Sequence, residues 1–376
     1  MNRYAFIFLV TLHFFLVACG KSEQPVSRQY QPVSGEEIFT DVAEKSGIDF
    51  IHFNGMSGEF YFPEIMGAGA ALFDFDNDGD LDVYLVQGTM LGTGKTISDA
   101  TVKPQGALQG RLYRNELSGG QLRFSDVTAQ SGIVARLYGM GATTGDFDND
   151  GWTDLLLTGL GEVQLWRNNG NGTFSDATKK AGIADTDWSV SAAFVDYDRD
   201  GALDLFICNY VNFVIANNKK CYSPTSRLDY CAPRAYSPMP SMLFRNKGNG
   251  TFENVSAKSG IAGEAGSALG VVCSDFNEDG WTDIYVANDQ RENFLWINQQ
   301  NGTFKNDALL AGCAVSRDGK PEASMGVDAG DFDADGDEDL FVTHLSGEKS
   351  TFYYNIGKGT FEDRSFETGI GTASMN

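Results

Sequence analysis

The chain of 376 residues has little histidine, little positive charge and few cysteines. Three His argue against a catalytic metal centre built from several histidines. With 28 Lys and Arg against 51 Asp and Glu, the formal net charge is −23. This excess argues against nucleic acid as a partner, because phosphate binding needs clustered basic side chains. Six Cys are too few for a disulfide scaffold of this length. G-x-S-x-G, H-E-x-x-H and C-x-x-C motifs are all missing, so the sequence predicts a protein that is not an enzyme.

One long apolar run is present, over the 15 residues Tyr4–Ala18. A membrane-spanning helix needs roughly 20 apolar residues, so the run is short for a span. It ends in Leu-Val-Ala before Cys19, which resembles the lipobox of bacterial lipoproteins. We therefore predict a signal peptide over 1–18, an acylated Cys19 and a flexible polar tether over 19–35. The expected location is the bacterial cell envelope, with export and a lipid anchor, at the outer membrane or cell surface. An ordinary signal peptide and an uncleaved anchor are the alternatives.

Five segments share the pattern D-x-[DN]-x-D-G-x-x-D, and each lies between stretches typical of short strands. Hairpin signals such as Asn-Gly follow, and most units close with Gly-Thr-Phe or a close variant. Four short strands per unit are typical of propeller blades. The predicted fold class over 36–376 is therefore all-β, a β-propeller of four-stranded blades. We expect five complete blades in this chain. A solenoid is the alternative.

A closing strand over Ile38–Val42 has no blade before it, and Ala373-Ser374-Met375 repeats the start of the fifth inner strand at Ala323-Ser324-Met325. The expectation is that the sequence stops at the threshold of a sixth blade. A five-bladed ring with a spare strand is the alternative.

The acidic loops carry oxygen ligands at a spacing that suits calcium, which takes about six to eight oxygens. Side chains at positions 1, 3, 5 and 9 and the carbonyl at position 7 can converge, because Gly at position 6 permits a sharp turn. Position 12 is apolar in all five loops, so they are not EF-hands. We predict about five Ca²⁺ ions with a structural role, the fourth loop binding more weakly because it has Asn277. The alternative is a set of solvated acidic turns. The predicted ligands are Asp74, Asp76, Asp78, Asp80 and Asp82; Asp146, Asp148, Asp150, Trp152 and Asp154; Asp196, Asp198, Asp200, Ala202 and Asp204; Asp275, Asn277, Asp279, Trp281 and Asp283; and Asp331, Asp333, Asp335, Asp337 and Asp339.

The repeated units resemble FG-GAP/VCBS-type repeats, as in integrin α-subunit propellers. The whole of 36–376 is similar to bacterial relatives of cartilage acidic protein, which an ASPIC/UnbV domain often follows. That resemblance implies a calcium-binding propeller on a secreted or surface protein, with the five blades as part of a seven-bladed ring and with binding or adhesion as its function. This sequence has no ASPIC/UnbV segment, which fits the expectation of a further blade. The matching stretches are His52–Gly55, Pro63–Gly69, Tyr84–Gly88, Asn209–Val211 and Asp229–Cys231.

The remaining candidates lie outside the loops. Cys221 and Cys231 fall in a polar insertion over 212–240, where we expect an exposed loop closed by a disulfide. Cys208, Cys273 and Cys313 are expected to be buried thiols, with a Cys208–Cys273 bridge as an alternative.

Two histidines, His52 and His344, are candidates for polar sites. His52 with Glu64 either forms one near a propeller face or is structural, and no base or substrate is evident for His344. One aromatic per blade is expected to pack in the core, at Tyr113, Trp166, Phe244, Trp296 and Tyr353.

These features together predict a surface-anchored scaffold that binds a protein or glycan ligand, using the loops of one propeller face and the insertion. Contact with a membrane is expected through the lipid anchor alone, and no nucleic acid is expected to bind. The alternatives are a carbohydrate-binding lectin and a polysaccharide-processing enzyme with a calcium-assisted site on the propeller face.

Overall fold

The computed structural model describes residues 39–117 and 119–374. The predicted signal peptide, Cys19 and tether lie outside the described residues. Five four-stranded antiparallel sheets, here called blades 1 to 5, follow one another along the chain. The predicted fold class, all-β with four-stranded propeller blades, is confirmed. The strands are β1 (Ala70–Phe73), β2 (Asp82–Leu85), β3 (Arg111–Asn115) and β4 (Phe124–Asp126) in blade 1; β5 (Gly139–Gly145), β6 (Asp154–Gly159), β7 (Val163–Asn168) and β8 (Phe174–Asp176) in blade 2; β9 (Ser189–Val195), β10 (Asp204–Asn209), β13 (Met242–Asn246) and β14 (Phe252–Asn254) in blade 3; β15 (Ala268–Ser274), β16 (Asp283–Asn288), β17 (Phe294–Asn298) and β18 (Phe304–Asn306) in blade 4; and β19 (Ser324–Gly330), β20 (Asp339–His344), β21 (Thr351–Asn355) and β22 (Phe361–Asp363) in blade 5.

Short elements connect the blades. A single-turn α-helix follows each outer strand, and a glycine in the left-handed conformation comes directly after α1 to α5. The strands β11 (Cys221–Tyr222) and β12 (Leu228–Asp229) form a hairpin of their own within the insertion of blade 3. The helices are α1 (Ala43–Ser46), α2 (Thr128–Ser131), α3 (Thr178–Ala181), α4 (Ser256–Ser259), α5 (Ala308–Ala311) and α6 (Ile370–Ala373), with 3₁₀ turns at Phe62–Ile65, Ile97–Asp99, Ile215–Asn217, Pro233–Ala235 and Ile261–Gly263.

The predicted strand over Ile38–Val42 is wrong for its described part, since residues 39–42 form no strand and lead into α1. In blades 1 to 5 the equivalent segment pairs with the third strand of its own sheet. Among the described residues no third strand pairs with 39–42, so the same sequence pattern stays unpaired there.

The core lies between the blades as well as within them. Every residue of β6, β10 and β16 is buried, because neighbouring blades cover both faces of these second strands. The prediction of a packed aromatic in each blade is confirmed, with exposures of 6% or less at Tyr113, Trp166, Phe244, Trp296 and Tyr353.

Two contacts recur at the interfaces between blades. The aromatic residue at position 2 of an acidic loop packs on the first residue of the outer strand in the next blade, as with Phe147 and Phe252 at 5.9 Å between ring centroids. The amide of the Asn that ends the third strand donates to the carbonyl of that aromatic residue, as from Asn246 to Phe147 at 2.7 Å. In blade 5 the equivalent aromatic, Phe332, is 54% exposed, because no following blade covers it among the described residues.

The first strands of the blades approach one another closely. A Cβ on Gly141 of β5 would lie 2.3 Å from the carbonyl oxygen of Val190 in β9. Ser191 of β9 donates from its hydroxyl to the carbonyl of Leu269 in β15, at 2.8 Å. Small residues at this level therefore let the blades converge.

We predict that Gly141→Ala lowers the free energy of unfolding by about 1–3 kcal/mol, because the added methyl forces the first strands of blades 2 and 3 apart. Chemical denaturation measures the change. Gly67→Ala is the matched control, since a Cβ on Gly67 meets nothing within 4 Å. Equal stability of the two variants would contradict the close approach.

Candidate functional site

Each acidic loop joins the first two strands of its blade and folds back on itself. In the first loop the Asp74 carboxylate accepts the backbone N–H of Asp78 at 3.1 Å and that of Gly79 at 2.9 Å. The Asp78 carboxylate in turn accepts the N–H of Asp80 at 3.0 Å. The same three bonds recur in the other four loops. The predicted ligands at positions 1 and 5 are therefore held by backbone amides.

The aspartate at position 9 is buried in every blade. Asp204 accepts the backbone N–H of Tyr197 within its loop and that of Asn246 in the third strand, at 3.2 and 2.7 Å. Burial raises the pKa of Asp82 to about 6 and the pKa values of Asp154, Asp204 and Asp283 to about 7. These carboxylates are expensive to leave charged without a cation.

Carboxylate oxygens converge in four of the five loops. One oxygen from each member of a trio lies within 4.8 Å of the other two, and among the described residues no trio of this kind is found in the fourth loop, where Asn277 replaces an aspartate. The trios are Asp74, Asp76 and Asp78; Asp146, Asp148 and Asp154; Asp196, Asp198 and Asp204; and Asp331, Asp333 and Asp335.

Three buried oxygens at position 3 have no hydrogen-bond partner among the described residues. They are Oδ1 of Asp76, Asp148 and Asp198. Burying a carboxylate oxygen without a hydrogen-bond donor costs free energy. A divalent cation would supply the missing contact, and four or five neighbouring carboxylates would bind it. The donor set therefore fits a hard cation such as Ca²⁺.

Neighbouring loops are connected. The amide of Asn77 in the first loop donates to the carbonyl of Gly151 in the second at 3.0 Å. The amide of Asn149 donates to the carbonyl of Gly201 in the third loop at 2.9 Å. This link is not among the features predicted from the sequence, although an Asn at position 4 in the first two loops is a visible signal of it. The first three candidate sites are thus joined through the loops themselves.

The insertion of blade 3 is closed by a disulfide between Cys221 and Cys231. The expectation of an exposed loop over 212–240 is wrong for part of it, since Phe213 and Tyr236 are 2% and 4% exposed. These aromatics pack on Trp188 and on Phe62, which belongs to the segment over 53–66 that precedes blade 1. The burial arises because the aromatics of the two segments cover one another.

The junction between segment 53–66 and the insertion, which we call the clasp, also contains polar contacts. Glu64 is 1% exposed, and its carboxylate accepts the Tyr230 hydroxyl at 2.9 Å and the Ser57 N–H at 3.3 Å. Burial raises the pKa of this carboxyl. At the rim, Glu59 pairs with Lys95 and Lys220 at 3.1 and 3.2 Å.

The two described histidines differ in burial. His52 is exposed, and no hydrogen bond joins it to Glu64 among the described contacts. The side chain of His344 is buried and lies 3.2 Å from the Ser324 hydroxyl. The thiols of Cys208, Cys273 and Cys313 are free, so the alternative bridge between Cys208 and Cys273 is not formed.

A cavity of about 440 Å³ lies at the end of blade 4 that is opposite its acidic loop. Two arginines line it, one from the insertion of blade 3 and one from the turn between β16 and β17. Its walls are Arg234, Ala265, Gln290, Arg291, Glu292, Phe294 and Pro321.

Comparison with known families matches an FG-GAP-like repeat over residues 146–207, 227–286 and 275–342. The chain carries FG-GAP-like repeats. The matched segments contain the acidic loops of blades 2 to 5 and the second strands that follow them. Blade 1 has the same loop pattern and the same sheet order.

Similar proteins cover only parts of these repeats. Cartilage acidic protein 1 from Xenopus tropicalis is 28% identical over 131 residues, which is 34% of this chain and 20% of that protein. Cartilage acidic protein 1 from Mus musculus is 29% identical over 112 residues, 30% of this chain and 17% of that protein. The chain thus matches about a fifth of the length of these relatives.

Solved structures with similarity to the chain include a lectin from Agrocybe aegerita, described as recognising non-reducing terminal N-acetylglucosamine. It is 16% identical, with a TM-score of 0.42 over 78% of this chain and 64% of the lectin chain. A Photorhabdus luminescens Tc holotoxin pore is 14% identical, with a TM-score of 0.34 over 78% of this chain and 12% of that chain. The fold assignment rests on the blades themselves.

We predict that Tyr230→Phe loosens the clasp. Loss of the hydroxyl leaves the buried Glu64 carboxylate one donor short, which costs about 1–3 kcal/mol of unfolding free energy. Chemical denaturation of the oxidised protein measures it. Tyr222→Phe is the control, since Tyr222 is 66% exposed on the same hairpin. A Tyr230→Phe protein as stable as wild type would show that the hydroxyl contributes nothing.

Proposed function

We propose that the protein is a calcium-stabilised binding scaffold. The observation that carries the proposal is the unpaired, buried Oδ1 at position 3 of the first three loops, each beside a buried aspartate at position 9. The trios of carboxylates in four loops and the FG-GAP-like repeats support it.

Bound Ca²⁺ would supply positive charge to carboxylates that otherwise repel one another. The chain's own residues prepare each loop for that charge. Backbone amides orient the carboxylates at positions 1 and 5, and position 9 links the loop to the third strand of the blade. In the fourth loop the neutral side chain of Asn277 stands in place of a carboxylate, and its amide donates to Asp279 at 3.2 Å. This loop would therefore bind the ion least well.

The proposed ligand-binding face is the end of the blades opposite the acidic loops. The long connections over 86–110 and 210–241 both lie at that end, since each joins the second and third strands of its blade. The clasp makes part of this face rigid, and the cavity beside Arg234 and Arg291 supplies a concave polar site. A protein or glycan ligand with acidic groups would suit the two arginines. This role is one of binding rather than catalysis.

Export with a lipid anchor at Cys19 is part of the proposal. The lipobox-like sequence supports it, and so does the disulfide between Cys221 and Cys231, because structural disulfides persist in oxidising compartments. Among the residues described, no helix has the length and apolar character to cross a bilayer.

We predict that Cys19→Ser moves the protein from the membrane fraction to the soluble fraction of the cells that produce it, because the acylated thiol is lost. Immunoblots of separated fractions measure the distribution. Cys313→Ser, which alters a buried free thiol, is the control. Unchanged membrane association of the Cys19→Ser protein would contradict the anchor.

We predict that chelation lowers the melting temperature of the protein by roughly 10 °C or more. If each of five sites binds with a Kd of ~0.1 mM, then ~1 mM calcium adds about 1.4 kcal/mol per site. The sum of roughly 7 kcal/mol is comparable with the stability of a whole domain. Thermal unfolding with and without chelator, followed by calcium titration, measures both the shift and the number of ions.

Two controls make this experiment specific. The triple variant D76N/D148N/D198N replaces the three carboxylates that have an unpaired oxygen with neutral amides, and it should reduce the number of bound ions. Asp318→Asn alters an exposed carboxylate outside the loops and should leave that number unchanged. A melting temperature indifferent to calcium would overturn the proposal.

A further inference from the structure

Two of the acidic loops have an arginine bound to their carboxylates. Arg167, in the third strand of blade 2, donates from Nε to Oδ2 of Asp148 at 2.5 Å and from a terminal nitrogen to Oδ2 of Asp150. Arg245, at the same place in blade 3, donates to Oδ2 of Asp198 at 2.5 Å and, by a terminal nitrogen, to its loop's position 5 at 3.0 Å. Each guanidinium bridges positions 3 and 5 of one loop.

The other three loops have no such bridge among the described residues. Arg114 occupies the same position in blade 1 but donates to Glu116 instead, from Nε at 3.0 Å. Blades 4 and 5 have Ile297 and Tyr354 there. The five loops therefore share their predicted ligands but differ in whether a cation of the chain already contacts them.

The carboxylates converge differently in the two groups. In the second and third loops the trio within 4.8 Å consists of positions 1, 3 and 9, whereas in the first and fifth loops it consists of positions 1, 3 and 5. Position 5 is missing from the trio where an arginine holds it. Oδ1 of Asp148 and Oδ1 of Asp198 are buried and have no hydrogen-bond partner among the described residues, so each of these loops keeps an oxygen for a further cation.

We propose that Arg167 and Arg245 act as built-in counter-cations that divide the calcium sites of the first, second, third and fifth loops into two classes. This inference rests on the proposed calcium function. The arginines keep the second and third loops ordered without calcium and weaken calcium binding there. The first and fifth loops, which have no such cation, bind calcium more tightly and depend on it for order.

The physical reason is electrostatic. A divalent ion that enters the second or third loop meets a guanidinium bound to two of the same carboxylates, and like charges a few ångströms apart repel. The side chains of Arg167 and Arg245 are 35% and 43% exposed, so water screens part of this repulsion. We therefore expect an effect of about tenfold on the dissociation constant, rather than complete exclusion of the ion.

The test is calcium titration by calorimetry of the wild-type protein and of R167Q/R245Q, with melting in chelator as a second measurement. In the double variant, two sites should bind calcium about tenfold more tightly, and the melting temperature in chelator should fall by a few degrees. In saturating calcium the difference in melting temperature should shrink. The single variants R167Q and R245Q should each change one site, which covers the case in which the double variant does not fold in chelator.

Arg317→Gln is the control, because Arg317 is exposed, pairs with Glu367 and lies outside the acidic loops. It should leave both measurements unchanged. Weaker binding in R167Q/R245Q would overturn the proposal and make the arginines positioning residues. Five equivalent sites that do not respond to either substitution would overturn this inference while leaving the calcium function intact. A wild-type protein that takes up no calcium would overturn the proposed function and the two affinity classes with it.

Discussion

The blades depend on the hydrogen bonds of the buried aspartate at the end of each acidic loop. In blades 1, 2, 3 and 5 its carboxylate accepts one backbone N–H from its own loop and one from the Asn that ends the third strand, as Asp154 does with Phe147 and Asn168. In blade 4, Asp283 accepts the N–H of Asn298. The side chain of the strand-ending Asn reaches the preceding blade, since Asn168 donates to the carbonyl of Phe75 at 2.7 Å. In blades 2 to 5 the aspartate and this Asn together connect the loop, the sheet and the preceding blade.

This arrangement explains why a protein would keep so much negative charge in its loops. The aspartate at position 9 makes its hydrogen bonds at a buried position. Burial alone favours its neutral form, and accordingly the pKa values of Asp154 and Asp204 are raised. A cation nearby reverses that preference. In the second and third loops an arginine of the third strand provides part of the positive charge, whereas among the described residues no cationic side chain bridges the carboxylates of the first and fifth loops. The charge of the loops and the packing of the blades therefore both depend on the buried aspartate at position 9.

The opposite end of the molecule is organised by apolar contacts. Phe62 packs against Trp188 and Tyr236, which brings the segment before blade 1 onto blades 2 and 3. The disulfide-closed hairpin then covers Glu64. A face that the sequence presents as two loops is in part a packed structure, with a cavity beside Arg234 and Arg291.

Much of the fold could be predicted because its signals are local and repeated. The acidic loops, the hairpin turns and the alternating strands each occupy fewer than about ten residues and recur in each unit, so a single sequence defines the blades and the predicted ligands. The segment at 39–42 shows the limit, because it has the pattern of a closing strand but no partner strand among the described residues.

The tertiary structure decided what depends on distant residues. The bond from Tyr230 to Glu64 spans 166 positions, and Arg167 reaches a carboxylate 19 positions earlier while Arg114 turns to Glu116. A pattern of residue types cannot distinguish these two arginines, because the choice depends on which carboxylate lies closest once the strands have paired. The sequence by itself determined the repeat, the blade and the loop chemistry. Only the packed structure decided which acidic loops have an arginine bound to their carboxylates, and which part of the insertion over 212–240 is buried.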